Sequence, residues 1–133
     1  MEMSRLEEYL SRMPGAVRGY KEEWNWHRWQ VGGKMFAAIC TPGSDHKAPY
    51  AGHPLLNLKC APDQSLFLQE QHPEIHPGFY MDKKHWIAIL LDGELPEDLI
   101  LDLCRQSYDL VFSKLTKKMQ KEILGGSPAS SSL

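Results

Sequence analysis

The sequence has no long apolar run, few cysteines and no excess of basic charge, and each shortage closes a class of function. The longest uninterrupted apolar stretch, 86–91, has six residues. That is far below the roughly 18 that mark a membrane-spanning helix, and it reads as a buried strand. The opening residues carry Glu2, Glu7 and Glu8 without an apolar block, a pattern of neither a secretory signal nor a transit peptide. A cytoplasmic location with no membrane partner is therefore expected. The three cysteines, Cys40, Cys60 and Cys104, are odd in number, lie 20 and 44 residues apart and include no CxxC pair. They fit free thiols in a reducing compartment that serve as small apolar residues.

Positive charge is also short. Fifteen Lys and Arg stand against seventeen Asp and Glu, giving a net charge of −2. Nonspecific nucleic-acid binding is driven by cations displacing counterions from phosphates, so any such contact needs a local basic patch on a weakly acidic body. Catalytic signatures are missing too: the sequence has no GxSxG, P-loop, HExxH or glycine-rich dinucleotide fingerprint. Cys60 and Cys104 have no adjacent base to activate a thiol. Ser107-Tyr108 falls on or beside the buried stripe of the final helix and reads as packing, with the tyrosine hydroxyl satisfied locally. His72 and His76 stand four apart, but Pro73 and Pro77 break the helix that would turn both imidazoles toward one ion. No third ligand is recognisable, although His53 or Asp45-His46 could approach in space. The expectation is a binding protein, not an enzyme, with no metal and no cofactor.

What is present is an ordinary globular composition, 42% hydrophobic and 24% charged over 133 residues, enough for one core but not two. A single domain is expected over 1–124, followed by a tail at 125–133 of disordered composition. Ser4-Arg5-Leu6-Glu7 matches a capping box. Leu6, Tyr9, Leu10 and Met13 then recur at helical spacing until Pro14-Gly15. Gly32-Gly33 between two β-prone runs predicts a tight hairpin. The stretch 41–54, rich in Pro, Gly and Ser, predicts a loop; 55–60 predicts a strand; and Pro62-Asp63 opens a short helix that Pro73 must end. The run 85–91 is the most strand-like in the chain. Pro96, at a first helical position with Glu97 and Asp98 after it, begins the final helix. That helix could run unbroken to Leu124, but 113–116 is a plausible bend with Thr116 capping a last Lys-rich turn. The pattern predicts an α+β fold in two layers: an antiparallel sheet of about five strands with helices on one face, in the order α-β-β-β-α-β-β-α.

Four blocks carry a resemblance. They are Val31-Gly32-Gly33-Lys34-Met35-Phe36-Ala37, Leu56-Asn57-Leu58-Lys59-Cys60, the stretch from Pro77-Gly78-Phe79-Tyr80 through Met81-Asp82-Lys83-Lys84-His85-Trp86, and Gln106-Ser107-Tyr108-Asp109-Leu110-Val111. In their order and spacing they resemble the YjbR/MmcQ family over about 5–122. The resemblance implies the same two-layer α+β fold, an association with DNA binding, and no cofactor, metal or catalytic centre. It also implies a fold shared with CyaY-like and secretion-chaperone-like proteins. Tyr80 and Asp82 stand where His and Asn are common in the family. The tryptophan-rich 24–29 stands where Pro, Gly and His are common.

Three constellations are candidates for nucleic-acid contact. Lys83-Lys84-His85-Trp86 sits where a turn enters a strand; alternation would put Lys84 and Trp86 on one face and Lys83 and His85 on the other. It reads either as a cationic and aromatic corner for a phosphate backbone, joined by Arg18 or Arg28, or as solvated lysines flanking a core tryptophan. Lys114, Lys117, Lys118 and Lys121 fall at i, i+3, i+4 and i+7 and align on one stripe if the helix is continuous. Neutralising four phosphates would give a log–log salt slope of about −3.6; the plainer reading is cations complementing a helix C-terminus. Trp24, Trp26 and Trp29 could stack bases, although such residues are more often sheet core. Two functions follow from these readings: weak nucleic-acid binding, or a protein-interaction module that is a homodimer or pairs its exposed sheet with a partner.

Overall fold

The computed structural model describes residues 1–125; the expected tail lies outside them apart from Gly125. The chain runs α1 (Met3–Ser11), β1 (Val17–Lys21), a 3-10 turn (Glu22–Trp24), β2 (Trp26–Val31), β3 (Lys34–Cys40), β4 (Leu55–Lys59), α2 (Pro62–Gln71), β5 (Ile75–Pro77), β6 (Trp86–Leu90), α3 (Glu97–Phe112) and α4 (Lys117–Leu124). The strands form one six-stranded sheet in the order β1-β2-β3-β4-β6-β5, antiparallel throughout.

The α+β class and the helical layer agree with the expectation, and the differences have local causes. The additional strand is β1, an edge strand with Val17, Arg18 and Tyr20 exposed, so it shows no apolar alternation. Ser4 does not cap α1. Glu2 is the N-cap and its carbonyl accepts from the Leu6 N–H at 3.2 Å, which leaves Ser4 inside the helix. Pro96 is the N-cap of α3 and not its first helical residue. The last helix is two helices. After Phe112 the chain turns, and Thr116 Oγ1 accepts from the Met119 N–H at 3.1 Å to start α4, as its sequence position allowed.

The helical face holds the main core. Trp29, Phe36, Ile39, Leu56, Leu58, Ile87 and Ile89 pack under Leu6 and Leu10 of α1 and Ile100, Leu103, Cys104, Tyr108 and Val111 of α3. Burying each large side chain is worth about 1.5–3 kcal/mol. The ladder passes from Trp29↔Ala37 to Gln30↔Met35; this bulge sends both Phe36 and Ala37 into the core. Gly32 and Gly33 take φ of 57° and 78°, as a two-residue hairpin requires. A Cβ on Gly32 would lie 2.7 Å from atoms of Leu115 and Met119, so the hairpin turn is also the seat of α4. Tyr108 is not satisfied locally: its hydroxyl donates to the Pro14 carbonyl at 2.5 Å, tying α3 to the chain beyond α1.

Candidate functional site

Among the described residues, no helix lies on the opposite face of the sheet. Pairing places Gly19 beside Arg28, Arg28 beside Ala38, Ala38 beside Asn57 and Asn57 beside Ala88, so the middle of this face is small residues flanking two polar ones. The segments 41–54 and 78–85 fold over it. Trp26, Ala38, Cys40, Leu55, Phe79 and Ala88 form a second, smaller core. The Phe79 N–H donates to Asn57 Oδ1 at 2.9 Å, and the Tyr50 hydroxyl donates to the Pro77 carbonyl at 2.8 Å. A Cβ on Gly78 would sit 2.7 Å from the Cβ of Trp86, so only glycine lets this turn close onto β6.

Between the turn at 79–81, the segment 41–46 and strands β1–β3 lies a cavity of about 840 Å³, with Lys21, Arg28, Trp26, Met35, Phe79 and Tyr80 among its walls. Its size is within the range of about 300–1,000 Å³ typical of small-ligand sites.

Three anomalies meet there. Asn25 (φ 53°) and Tyr80 (φ 55°) are, among the described residues, the non-glycine positions with left-handed backbone, and both line the cavity. Such a conformation costs roughly 1–2 kcal/mol. Asn25 tolerates it and is held by the Tyr20 hydroxyl donating to its Oδ1 at 2.8 Å. Tyr80 is a large aromatic that remains 72% exposed. Its hydroxyl oxygen stands 3.4 Å from His46 Nδ1.

The second anomaly is Arg28. Arg5, Arg12, Arg18 and Arg105 are exposed and each is paired with a carboxylate. Arg28 is partly enclosed and has no ion pair among the described residues. Its Nε is buried without a hydrogen-bond partner, 3.6 Å from where a Cβ on Gly19 would stand. Asn57 Nδ2, on the same face, is likewise without a partner, and such buried polar atoms are uncommon in native proteins.

The third is the aromatic wall. Phe79 lies 6.3 Å from Trp26, 4.5 Å from Tyr80 and 5.4 Å from His46, centroid to centroid. Lys21 also lines the cavity and pairs with Glu23 at 3.7 Å. Cys40 lines it as well, but burial pushes its thiol up to about 12, so it is a protonated wall residue at neutral pH.

The residues singled out from sequence are not gathered in one place. Strand β6 begins only at Trp86, so alternation does not reach Lys83, Lys84 and His85, which lie exposed in the preceding turn. Asp82 organises that turn: it accepts from the Lys84 N–H at 2.9 Å and bonds His85 Nδ1 at 2.6 Å. These contacts, His85 foremost, hold its carboxyl below the usual range. Trp86 is buried, with Lys59 Nζ 5.8 Å from its ring.

Lys114 falls in the turn after α3, Lys117 and Lys118 in the first turn of α4, and Lys121 in its last. The four-lysine stripe is therefore broken, and two of its members stand at a helix N-terminus, not a C-terminus. Trp24 ends the 3-10 turn and is not in a strand. Trp26 faces the cavity. Trp29 is wholly buried in the main core, its Nε1 donating to Ser11 Oγ at 2.9 Å, so the three tryptophans are not one platform. Sequence reasoning places Arg28 only as an accessory cation and Tyr80 only as a departure from the family pattern, and neither as a cavity wall. The available signal was the i, i+2 spacing that puts Arg28 on the face of Trp26.

A family model described as YjbR matches residues 11–110. The Escherichia coli O157:H7 protein YbdF is 37% identical over 97 residues, 73% of either chain. YjbR of Escherichia coli K12 is 27% identical over 121 residues, 91% of this chain and 96% of its own. A crystal structure from Deinococcus radiodurans with a DUF419 domain superposes with a TM-score of 0.75 at 29% identity, covering 90% of this chain and 86% of that one. A Pseudomonas syringae crystal structure at 21% identity shares the fold with a TM-score of 0.73, over 84% of this chain and 99% of its own. None of these names states a ligand or an activity.

Proposed function

The chain belongs to the YjbR family, and we propose that this member is a non-catalytic, cytoplasmic binding domain whose loop-covered sheet face takes single-stranded nucleic acid weakly, one base entering the cavity. Arg28 carries the reading. It is a partly enclosed guanidinium with no ion pair among the described residues, in an aromatic-walled cavity, and arginine is the side chain best suited to grip a phosphate. Aromatic faces stack bases at roughly 1–3 kcal/mol each, and Tyr80 presents such a face. A base paired in a duplex cannot enter a concave site without being turned out of its stack, so single strands are favoured.

Lys83 and Lys84 follow the cavity residue Met81 in the chain and supply phosphate contacts beside it. The lysines of α4 do not line the cavity. With Arg28, Lys83 and Lys84 as the contacts, the salt slope for a single strand is about −2, a loss of roughly twentyfold between 50 and 200 mM salt. Fluorescence anisotropy with labelled single- and double-stranded oligonucleotides tests this. Single strands should bind more tightly, Arg28→Met should weaken them strongly, and Lys83→Glu with Lys84→Glu should flatten the slope. No binding at 50 mM salt would overturn the reading.

A second reading rests on β1. It is an edge strand with Val17 63% and Tyr20 51% exposed, and such an edge can accept a strand from a partner or a second copy. Light scattering that finds only monomer at high concentration, with no partner copurifying, would remove it.

A further inference from the structure

We infer that the cavity is a complete seat for one nucleotide, so that a free nucleoside monophosphate is a sufficient ligand, with its phosphate on Arg28 and its base against Tyr80. The inference rests on the binding reading above and narrows it to a unit of recognition.

Four observations argue for a unit and against a track. The cavity, at about 840 Å³, can enclose one ligand of nucleotide size. Its free cationic group is single: Arg28 has no carboxylate among the described residues, while Lys21 is engaged with Glu23. The residues next in sequence to its walls carry both signs of charge, Glu22, Asp45 and Asp82 against Lys34 and Lys47. This mixed charge gives a longer strand little further attraction beyond the one unit in the seat, on a chain whose net charge is −2. Finally, the polar groups are arranged for a compact ligand. Tyr80, held at φ 55°, offers an exposed ring, and Asn25, fixed through its Oδ1 by Tyr20, keeps its amide N–H donors for a base edge. Arg28 Nε is a buried donor still lacking an acceptor, which an anion seated in the cavity can supply once the guanidinium adjusts.

The phosphate is one of two anions a guanidinium grips in this way, a carboxylate being the other. The volume and the separate aromatic and cationic walls favour the larger, two-part ligand.

Isothermal titration calorimetry on the full chain at 50 mM salt tests the inference. The probes are the four ribonucleoside monophosphates, adenosine, ribose 5-phosphate, inorganic phosphate, benzoate as an aromatic carboxylate, and a single-stranded oligonucleotide. At least one monophosphate should bind more tightly than adenosine, ribose 5-phosphate, inorganic phosphate and benzoate, by about tenfold or more. Arg28→Met should cost a similar factor, Arg28→Lys less, and Tyr80→Gly should weaken the monophosphate without weakening inorganic phosphate. Circular dichroism showing that each variant remains folded secures the comparison. If the oligonucleotide binds through Arg28 and no monophosphate does, the single-unit seat is wrong and the strand-binding reading stands. If benzoate matches the monophosphates, the phosphate assignment is wrong. If neither oligonucleotide nor monophosphate binds, both readings fall.

Discussion

Ser107 on α3 donates its hydroxyl to the Phe36 carbonyl at 2.6 Å and accepts from the Lys59 N–H at 2.8 Å. Phe36 is the extra residue of the β2–β3 bulge, so its carbonyl lies out of register with the ladder. One wholly buried hydroxyl thus completes the hydrogen bonding of two strands and fixes α3 over them. Ser107→Ala leaves a buried acceptor and a buried donor unpaired and should cost about 2 kcal/mol or more. Urea denaturation should show a lower midpoint with an unchanged slope; a loss below half a kcal/mol would mean that the strands satisfy themselves in another way.

The same bulge shows what the sequence could and could not disclose. Features decided by local chemistry were legible: the Gly32-Gly33 hairpin, the turn before Thr116 and the apolar stripe of α3. Features decided by distant neighbours were not. Edge strand β1 has no apolar alternation because Val17, Arg18 and Tyr20 all remain exposed, and the lysine stripe, which periodicity aligns if the helix is continuous, is broken by the turn at 113–116. The cavity depends on Arg28 and Tyr80, which come from unrelated segments. From sequence, Arg28 is an accessory cation and Tyr80 a departure from the family pattern, and nothing local joins them. The left-handed backbone of Tyr80 follows a turn that closes onto Trp86 through Gly78, a tertiary condition that no local signal states.

Thr116 should matter for α4 alone. Its hydroxyl holds the first turn, where Lys117 and Lys118 oppose the helix dipole. Thr116→Ala should cost about 1 kcal/mol and Thr116→Ser much less. Amide exchange should accelerate over 117–124 and stay unchanged in α3; uniform acceleration would mean that α4 and α3 unfold as one unit.

The turn at 82–85 should be acid-sensitive. The Asp82 carboxyl is held below its usual range chiefly by His85 and then by the Lys84 N–H. A depressed folded-state pKa means that the contribution is complete above the unfolded value of about 3.9 and is lost as pH falls through the lower folded value. The stability gap between the native chain and Asp82→Ala should therefore be open at pH 5 and close as the pH falls below 4. A gap that persists at pH 2 would show that the turn does not depend on the ionised carboxylate.

The thiols should be inert until the chain unfolds. Cys40, Cys60 and Cys104 are all buried. Burial pushes Cys40 up to about 12 and Cys60 up to about 11, and raises Cys104 as well. Since the thiolate is the reactive form, Ellman's reagent at pH 8 should find essentially none of the three in the native protein and all three in guanidinium chloride. Rapid native labelling of Cys40 alone would show that the cavity opens beyond its present shape.

Tyr80 offers the sharpest separation of binding from stability. A left-handed tyrosine costs roughly 1–2 kcal/mol, and its ring is mostly exposed, so it returns little through burial. Glycine removes the strain while raising the entropy of the unfolded chain by roughly 0.5–1 kcal/mol. The balance predicts that Tyr80→Gly is no less stable than the native chain and gains up to about 1 kcal/mol. Tyr80→Ala keeps the strain, loses the ring and should be the less stable of the two. Tyr80→Phe keeps the ring, loses only the approach to His46 and should bind nearly as the native chain does. A residue retained for its ring should show binding lost in both Gly and Ala variants while stability moves in opposite directions between them. If Tyr80→Gly instead lowers the urea midpoint as far as Tyr80→Ala does, the ring is there to hold Phe79 and His46 in place, and the exposed aromatic face is not a binding surface.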